Sequence, residues 1–276
     1  VILRGLAGLD NLAGAPLRRL VRSSCRRFGG EFGEIHEVGP EAPEEDYLCL
    51  LPAAGCFLLA LAFPSQKEFW QLADFSSLSD SLRRDLLQYY RRCLQAHQLV
   101  RAKGRPILSK NAAFASWVPA LHNEFPDAAF LFCIRDPEKG LASQLSSIAP
   151  ARTLFGADPD GLLAASEFPE VFTRGYQALS GQFRKEATTP ASFAVVDQED
   201  LRENAGTCLR EALRHLEIPV GSESERTLAR ESRRGTPHQS RHRYRAGDFP
   251  VDMDAFLAEV RQSYEHLRAH RVRAKP

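Results

Sequence analysis

No stretch of the 276 residues approaches the roughly 18–20 consecutive apolar residues of a membrane span, and neither a secretory leader nor an internal repeat is visible. Charge of one sign is also lacking. Thirty-six Lys and Arg face 35 Asp and Glu, a net of +1, which argues against wholesale nucleic-acid binding. The six cysteines (25, 49, 56, 93, 133 and 208) show no CxxC and no metal-ligand spacing. They read as free thiols of a reducing, cytoplasmic compartment, and no metal is expected. With 43% hydrophobic and 26% charged residues, the chain has the composition of one globular domain with a large core.

The most informative stretch is Pro106 to Ser147. Ile107 and Leu108 form a short apolar run ending at Ser109-Lys110-Asn111, and Ala128 to Ile134 forms a second, ending at Arg135-Asp136-Pro137. Short uncharged runs bounded by turn signals suit strands buried on both faces of a parallel sheet. Between them, Trp117, Val118, Leu121 and Phe125 recur at helical spacing over Ala115 to Phe125. Strand, helix, strand implies two parallel strands joined by a right-handed crossover. Asp136 is placed to cap a following helix and Pro137 to be its first residue. Lys110 and Arg135 then fall at the carboxyl ends of neighbouring strands, the edge where open α/β sheets bind ligands.

Arg135 can grip two phosphate oxygens, and the helix N-terminus beside it offers free N–H groups. Ser143, eight residues on, is within reach of the same anion. The competing reading pairs Arg135 with Asp136 or another acid and leaves Ser143 as a buried polar filler.

A lysine ending one strand, then FPDA, a strand closed by R-D-P, and a serine eight after the arginine together resemble the sulfotransferases that use 3′-phosphoadenosine-5′-phosphosulfate (PAPS). The similarity is to the broad, largely bacterial branch that also resembles carbohydrate and tyrosylprotein sulfotransferases. APEEDYLCLL and LALAFP, within Glu41 to Pro64, and SRHRYRAGDF, Ser240 to Phe249, agree with it. The resemblance implies an α/β fold of P-loop type, three-layer α/β/α around a central parallel sheet, in a single domain over residues 1–276. It implies PAPS as co-substrate and a small-molecule, glycan or lipid acceptor with a hydroxyl or amine. Arg135 and Ser143 are expected to hold the 3′-phosphate, and Arg241, His242, Arg243 and Tyr244 to belong to a basic loop that closes over the nucleotide. A solvated basic loop is the rival reading of that segment.

The resemblance also marks departures. Relatives begin with a strand and a Gly/Ser/Thr-rich phosphate-binding loop. Val1 to Asp10 (VILRGLAGLD) lacks its hydroxyl pair and basic residue, so that loop is expected to lie upstream of a chain that starts at Val1. In many cytosolic relatives a catalytic histidine follows the lysine by two residues; here Ala112, Ala113 and Phe114 follow Lys110, and none takes a proton. Carbohydrate and tyrosylprotein relatives use a glutamate, which points to Glu44 or Glu45 as base, with Lys110 stabilising the transferring group. Acids after Pro43 also simply start helices. His36 is a weaker candidate base. A non-catalytic relative that binds nucleotide or a partner is the alternative. A nucleotide kinase would need a magnesium site that the sequence does not suggest.

Elsewhere, Pro16 to Arg27 reads as a helix with a basic face, suited to solvent, a membrane surface or an acidic substrate. Phe69, Trp70 and Phe75 read as core or lid. Asp80 or Ser81 is expected to cap a long helix whose apolar stripe runs to His97. Ala149 to Pro169, rich in Pro, Gly and Asp, is expected to line the acceptor site, Glu170 to Glu186 reads as a helix, and Phe193 to Val196 as a strand. Thr207 to Leu216 is expected to be helical, Val220 to Thr236 polar and mobile, and Asp252 to cap the final helix.

Overall fold

The computed structural model describes residues 45–102, 105–156, 158, 160–184, 192–233 and 246–273. Its elements are α1 (Leu59–Ala62), α2 (Lys67–Gln71), α3 (Asp80–His97), α4 (Val118–Glu124), β1 (Phe130–Ile134), α5 (Pro137–Phe155), α6 (Leu162–Arg184), β2 (Phe193–Asp197), α7 (Gln198–His215), α8 (Ser222–Ser232) and α9 (Met253–Ala269). Short 3₁₀ helices span Asp46–Ala53 and Ala112–Trp117. The fold is mostly helical α/β, and among the described residues its sheet is one parallel pair.

β1 and β2 pair in register from Phe130 opposite Phe193 to Ile134 opposite Asp197. Val272 donates to the Val195 carbonyl at 2.9 Å, so β2 has backbone on both sides. All five β2 residues are buried, which explains the uninterrupted FAVV. Alternation sends Phe132, Ile134, Phe193 and Val195 to one face, against Val118 of α4, Phe183 of α6 and Tyr264 and Leu267 of α9. Ala194 and Val196 meet Cys208 and Ala212 of α7 and Leu216, just after it, on the other. A separate core gathers Trp70 and Leu141, Leu145 and Ile148 of α5 with Phe168 of α6 and Phe256 and Val260 of α9.

Several expectations need correction. Ile107 and Leu108 are not a strand: Leu108 is 94% exposed, and the Lys110 carbonyl accepts from Asp46 N–H at 3.3 Å instead of a sheet partner. Two apolar residues after a proline cannot cover two faces. Asn111 is a helix cap rather than a strand end, its Oδ1 accepting from Ala113 N–H at 2.9 Å. Ala149 to Pro169, to which the sequence reading assigns no element, is largely helical. α5 continues through Pro150, and α6 starts at Leu162 and continues through Pro169. Burial of Ile148, Ala164 and Phe168 in one core carries both helices past prolines that would break an isolated segment. The turn between them is set by Gly156 at φ +67° and by Asp158, which accepts from Leu163 and Ala164 N–H at 3.2 and 3.0 Å. Ser79, not Asp80 or Ser81, caps α3, accepting from Leu82 N–H at 3.3 Å. His97 is exposed rather than a core histidine. The polar stretch after Val220 forms α8, anchored on α7 by buried Leu228.

Candidate functional site

The strand ends build the first constellation. β1 stops at Ile134, level with Asp197, so Arg135 and Asp197 leave the sheet at the same edge. As expected, Asp136 caps α5, accepting from Lys139 N–H at 3.0 Å, and Pro137 is its first residue. The Tyr176 hydroxyl from α6 fixes the Arg135 backbone in both directions. It donates to the Arg135 carbonyl at 2.5 Å and accepts from the Arg135 N–H at 3.3 Å. Burial is the main reason its pKa rises to about 12. Ser143 is partly buried on α5. Seven residues are close to two helical turns, so it returns to the face of Asp136, about 10 Å along the axis.

Charged residues surround this edge. Asp197, 1% exposed, accepts from Tyr264 Oη and faces Arg268 Nε, both at 3.3 Å. Its other oxygen accepts from Glu199 N–H at 2.9 Å, starting α7. Glu199 in turn bridges Arg268 at 3.1 Å and Lys139 at 3.4 Å. Burial raises the Tyr264 pKa, with the Asp197 charge adding to it. Lys139, Tyr176 and Arg268 were not singled out from the sequence. Lys139 was the findable one, since it lies four residues before Ser143 on the same helix face.

A second constellation joins residues 65 positions apart. Lys110 Nζ meets Glu45 Oε1 at 2.5 Å, and Glu45 Oε2 accepts from Ala112 N–H at 3.2 Å. Glu45 also stands at the start of the Asp46–Ala53 helix, without a side-chain capping bond. Both readings of these residues are therefore visible together: an ion pair and helix start, and a carboxylate facing an ammonium. The Lys110 side chain is 71% exposed and that of Glu45 15%, leaving the ammonium accessible to solvent.

The two constellations connect through α6. A Cβ on Gly175 would lie 3.2 Å from the Ala115 Cβ, so the helix beginning just after Lys110 packs closely on α6 there. The next residue, Tyr176, holds Arg135. A groove of about 680 Å³ runs between α6 and α9 and is lined by Ser166, Glu170, Thr173 and Gln177 among others. Two residues along a helix is about 200°, so Thr173 and Gln177 face away from the Gly175 contact. The groove thus opens on the side of α6 opposite Ala115.

Glu44, His36, Arg241, His242, Arg243 and Tyr244 lie outside the described residues, as do Val1 to Asp10 and the Pro16–Arg27 stretch. Among the described residues no cluster of three or more His, Cys, Asp or Glu is arranged to hold a metal, and no helix is long and apolar enough to cross a membrane.

A sequence model described as "Sulfotransferase family" matches residues 21–222, well over half of the chain. No curated protein and no solved structure matches it.

Proposed function

We propose that this chain, which belongs to the sulfotransferase family, moves a sulfonate group from PAPS to a hydroxyl or amine of a small-molecule, glycan or lipid acceptor. The observation that carries the reading is the direct meeting of Glu45 with Lys110, a candidate base and a candidate cation brought together from distant parts of the sequence. The reading includes a P-loop-type three-layer α/β/α architecture in one domain. Helices on both faces of the β1–β2 pair support it.

The donor set suits an anionic nucleotide. Arg135 offers a planar fork, its backbone held by Tyr176, and Ser143 a hydroxyl on the next helix face. Lys139 adds an ammonium shared with Glu199. In this reading Arg135 and Ser143 bind the 3′-phosphate, and Arg241, His242, Arg243 and Tyr244 cover the nucleotide from the basic segment late in the chain. When bound, PAPS supplies the sulfonate and a phosphate leaving group. Glu45, or its neighbour Glu44, takes the acceptor's proton as the acceptor oxygen or nitrogen bonds to sulfur. Lys110 stabilises the charge left on the bridging oxygen as its bond to sulfur breaks.

One observation favours the non-catalytic alternative. Both Glu45 oxygens are engaged, by Lys110 and by Ala112 N–H. Each oxygen keeps a second lone pair, but an acceptor must share Glu45 with these contacts, and the ammonium disfavours protonation of the carboxylate it faces. Incubating the protein with labelled PAPS and pools of candidate acceptors, read by mass spectrometry, separates the two. One compound gaining a sulfonate, with release of 3′,5′-adenosine bisphosphate, is the expected result. Tight bisphosphate binding with no transfer to any pool would assign the chain to a binding role.

A further inference from the structure

We propose that Tyr90 is a positioning residue for the Glu45–Lys110 pair, its hydroxyl tying together the two chain segments that carry them. The inference rests on the reading above, in which that pair does the chemistry. Glu45 and Lys110 both lie outside regular helices and strands: Glu45 precedes a 3₁₀ helix, and Lys110 ends an exposed extended segment. Directly between the two backbones there is one hydrogen bond, Asp46 N–H to the Lys110 carbonyl, long at 3.3 Å. An ion pair as exposed as this one holds two segments weakly.

Tyr90 provides a firmer anchor. It projects from the middle of the 18-residue helix α3 and is 2% exposed. Its ring is held edge-on against Phe114 at 5.2 Å and Phe125 at 6.3 Å. Its hydroxyl donates to Asp46 Oδ2, next to Glu45. With its one proton committed there, the oxygen accepts from Ser109 Oγ at 3.1 Å, next to Lys110. One buried oxygen thus contacts the neighbour of each member of the pair. Asp46 Oδ1 is already buried without a hydrogen-bond partner among the described residues. Removing the Tyr90 hydroxyl would leave the whole carboxylate unpaired in a place with little water, so Asp46 would turn outward and carry Glu45 with it. Burial also raises the Tyr90 pKa, keeping the donating proton in place.

Pulsed acetylation of the full chain, with labelling at Lys110 quantified by mass spectrometry, tests this without any acceptor. Glu45→Gln sets the scale, since losing the ion pair should raise Lys110 labelling about two- to fivefold. Tyr90→Phe should raise it comparably and Ser109→Ala more modestly, while Lys139, paired with Glu199, stays at its wild-type level. Bisphosphate affinity should be unchanged in Tyr90→Phe and turnover reduced. Lys110 labelling unchanged in Tyr90→Phe overturns the proposal. So does an equal rise at Lys139, which would mark a general loosening of the protein. The wider reading fails separately. If Lys110→Ala retains transfer, the pair is not catalytic, whatever the labelling shows.

Discussion

Arg135 is positioned before it meets any ligand, because Tyr176 holds both its N–H and its carbonyl. A charge-assisted contact to phosphate is worth roughly 1.5–3 kcal/mol, so Arg135→Ala should weaken 3′,5′-adenosine bisphosphate binding by ~10–100-fold. Calorimetry with the bisphosphate and with 5′-adenylate checks it: the loss should fall on the bisphosphate, and equal losses would remove the 3′-phosphate from the assignment. At the second constellation, if Lys110 neutralises the leaving oxygen as proposed, Lys110→Ala should lower kcat far more than it weakens nucleotide binding, since that interaction belongs to the transition state. Glu45→Gln should cost on the order of 10²–10⁴-fold in kcat if Glu45 is the base. Near-normal rates for that variant across the pH profile would shift the role to Glu44.

At the scale of elements, the crossing of α7 and α8 hangs on one residue. A Cβ on Gly206 would sit 2.1 Å from the Leu228 carbonyl oxygen and 2.3 Å from Ser232 Oγ. Gly206→Ala gains helix propensity but must push α8 away, so the net effect should be a loss of about 1–3 kcal/mol. A lower denaturant midpoint at unchanged slope would show it. That crossing was illegible in the sequence. α8 has one buried apolar anchor, Leu228, so its stretch reads as solvated loop until α7 is in place. Elements with complete local signals were legible: β1 and β2 as uncharged runs, α5 from Asp136-Pro137, and α9 from Asp252, which accepts from Ala255 N–H at 3.0 Å. Ile107-Leu108 misled because apolar identity does not ensure a packing partner. Pro150 and Pro169 hid the end of α5 and the start of α6, because a shared core outweighs a local breaker. The Glu45–Lys110 meeting was legible only as two separate candidates, since nothing in the sequence pairs positions 65 apart.

Across the whole molecule, four tyrosines among the described residues, Tyr89 and Tyr90 on α3, Tyr176 on α6 and Tyr264 on α9, have hydroxyl pKa values pushed up, mainly by burial. For Tyr176 the rise is from 10.0 to about 12. Below pH 10 this hydroxyl is protonated in both folded and unfolded chains, and its stabilisation is fully present. Above that, unfolded chains lose the proton while folded ones keep it, so stability falls until the pH reaches about 12. Thermal midpoints should therefore drop steeply through this alkaline window, and Tyr176→Phe should drop less steeply. The sheet that these helices enclose has a further consequence, in the timing of amide exchange with deuterium. Phe130 N–H donates to the Ser192 carbonyl at 2.7 Å, so by parallel alternation the Phe132 and Ile134 amides also point at β2. Those of Leu131 and Cys133 point at the other edge, where no strand lies among the described residues. With that edge open, residue-resolved exchange along β1 alternates, fast at 131 and 133 and slow at 132 and 134. Uniformly slow exchange would instead reveal a neighbouring strand supplied from another part of the chain.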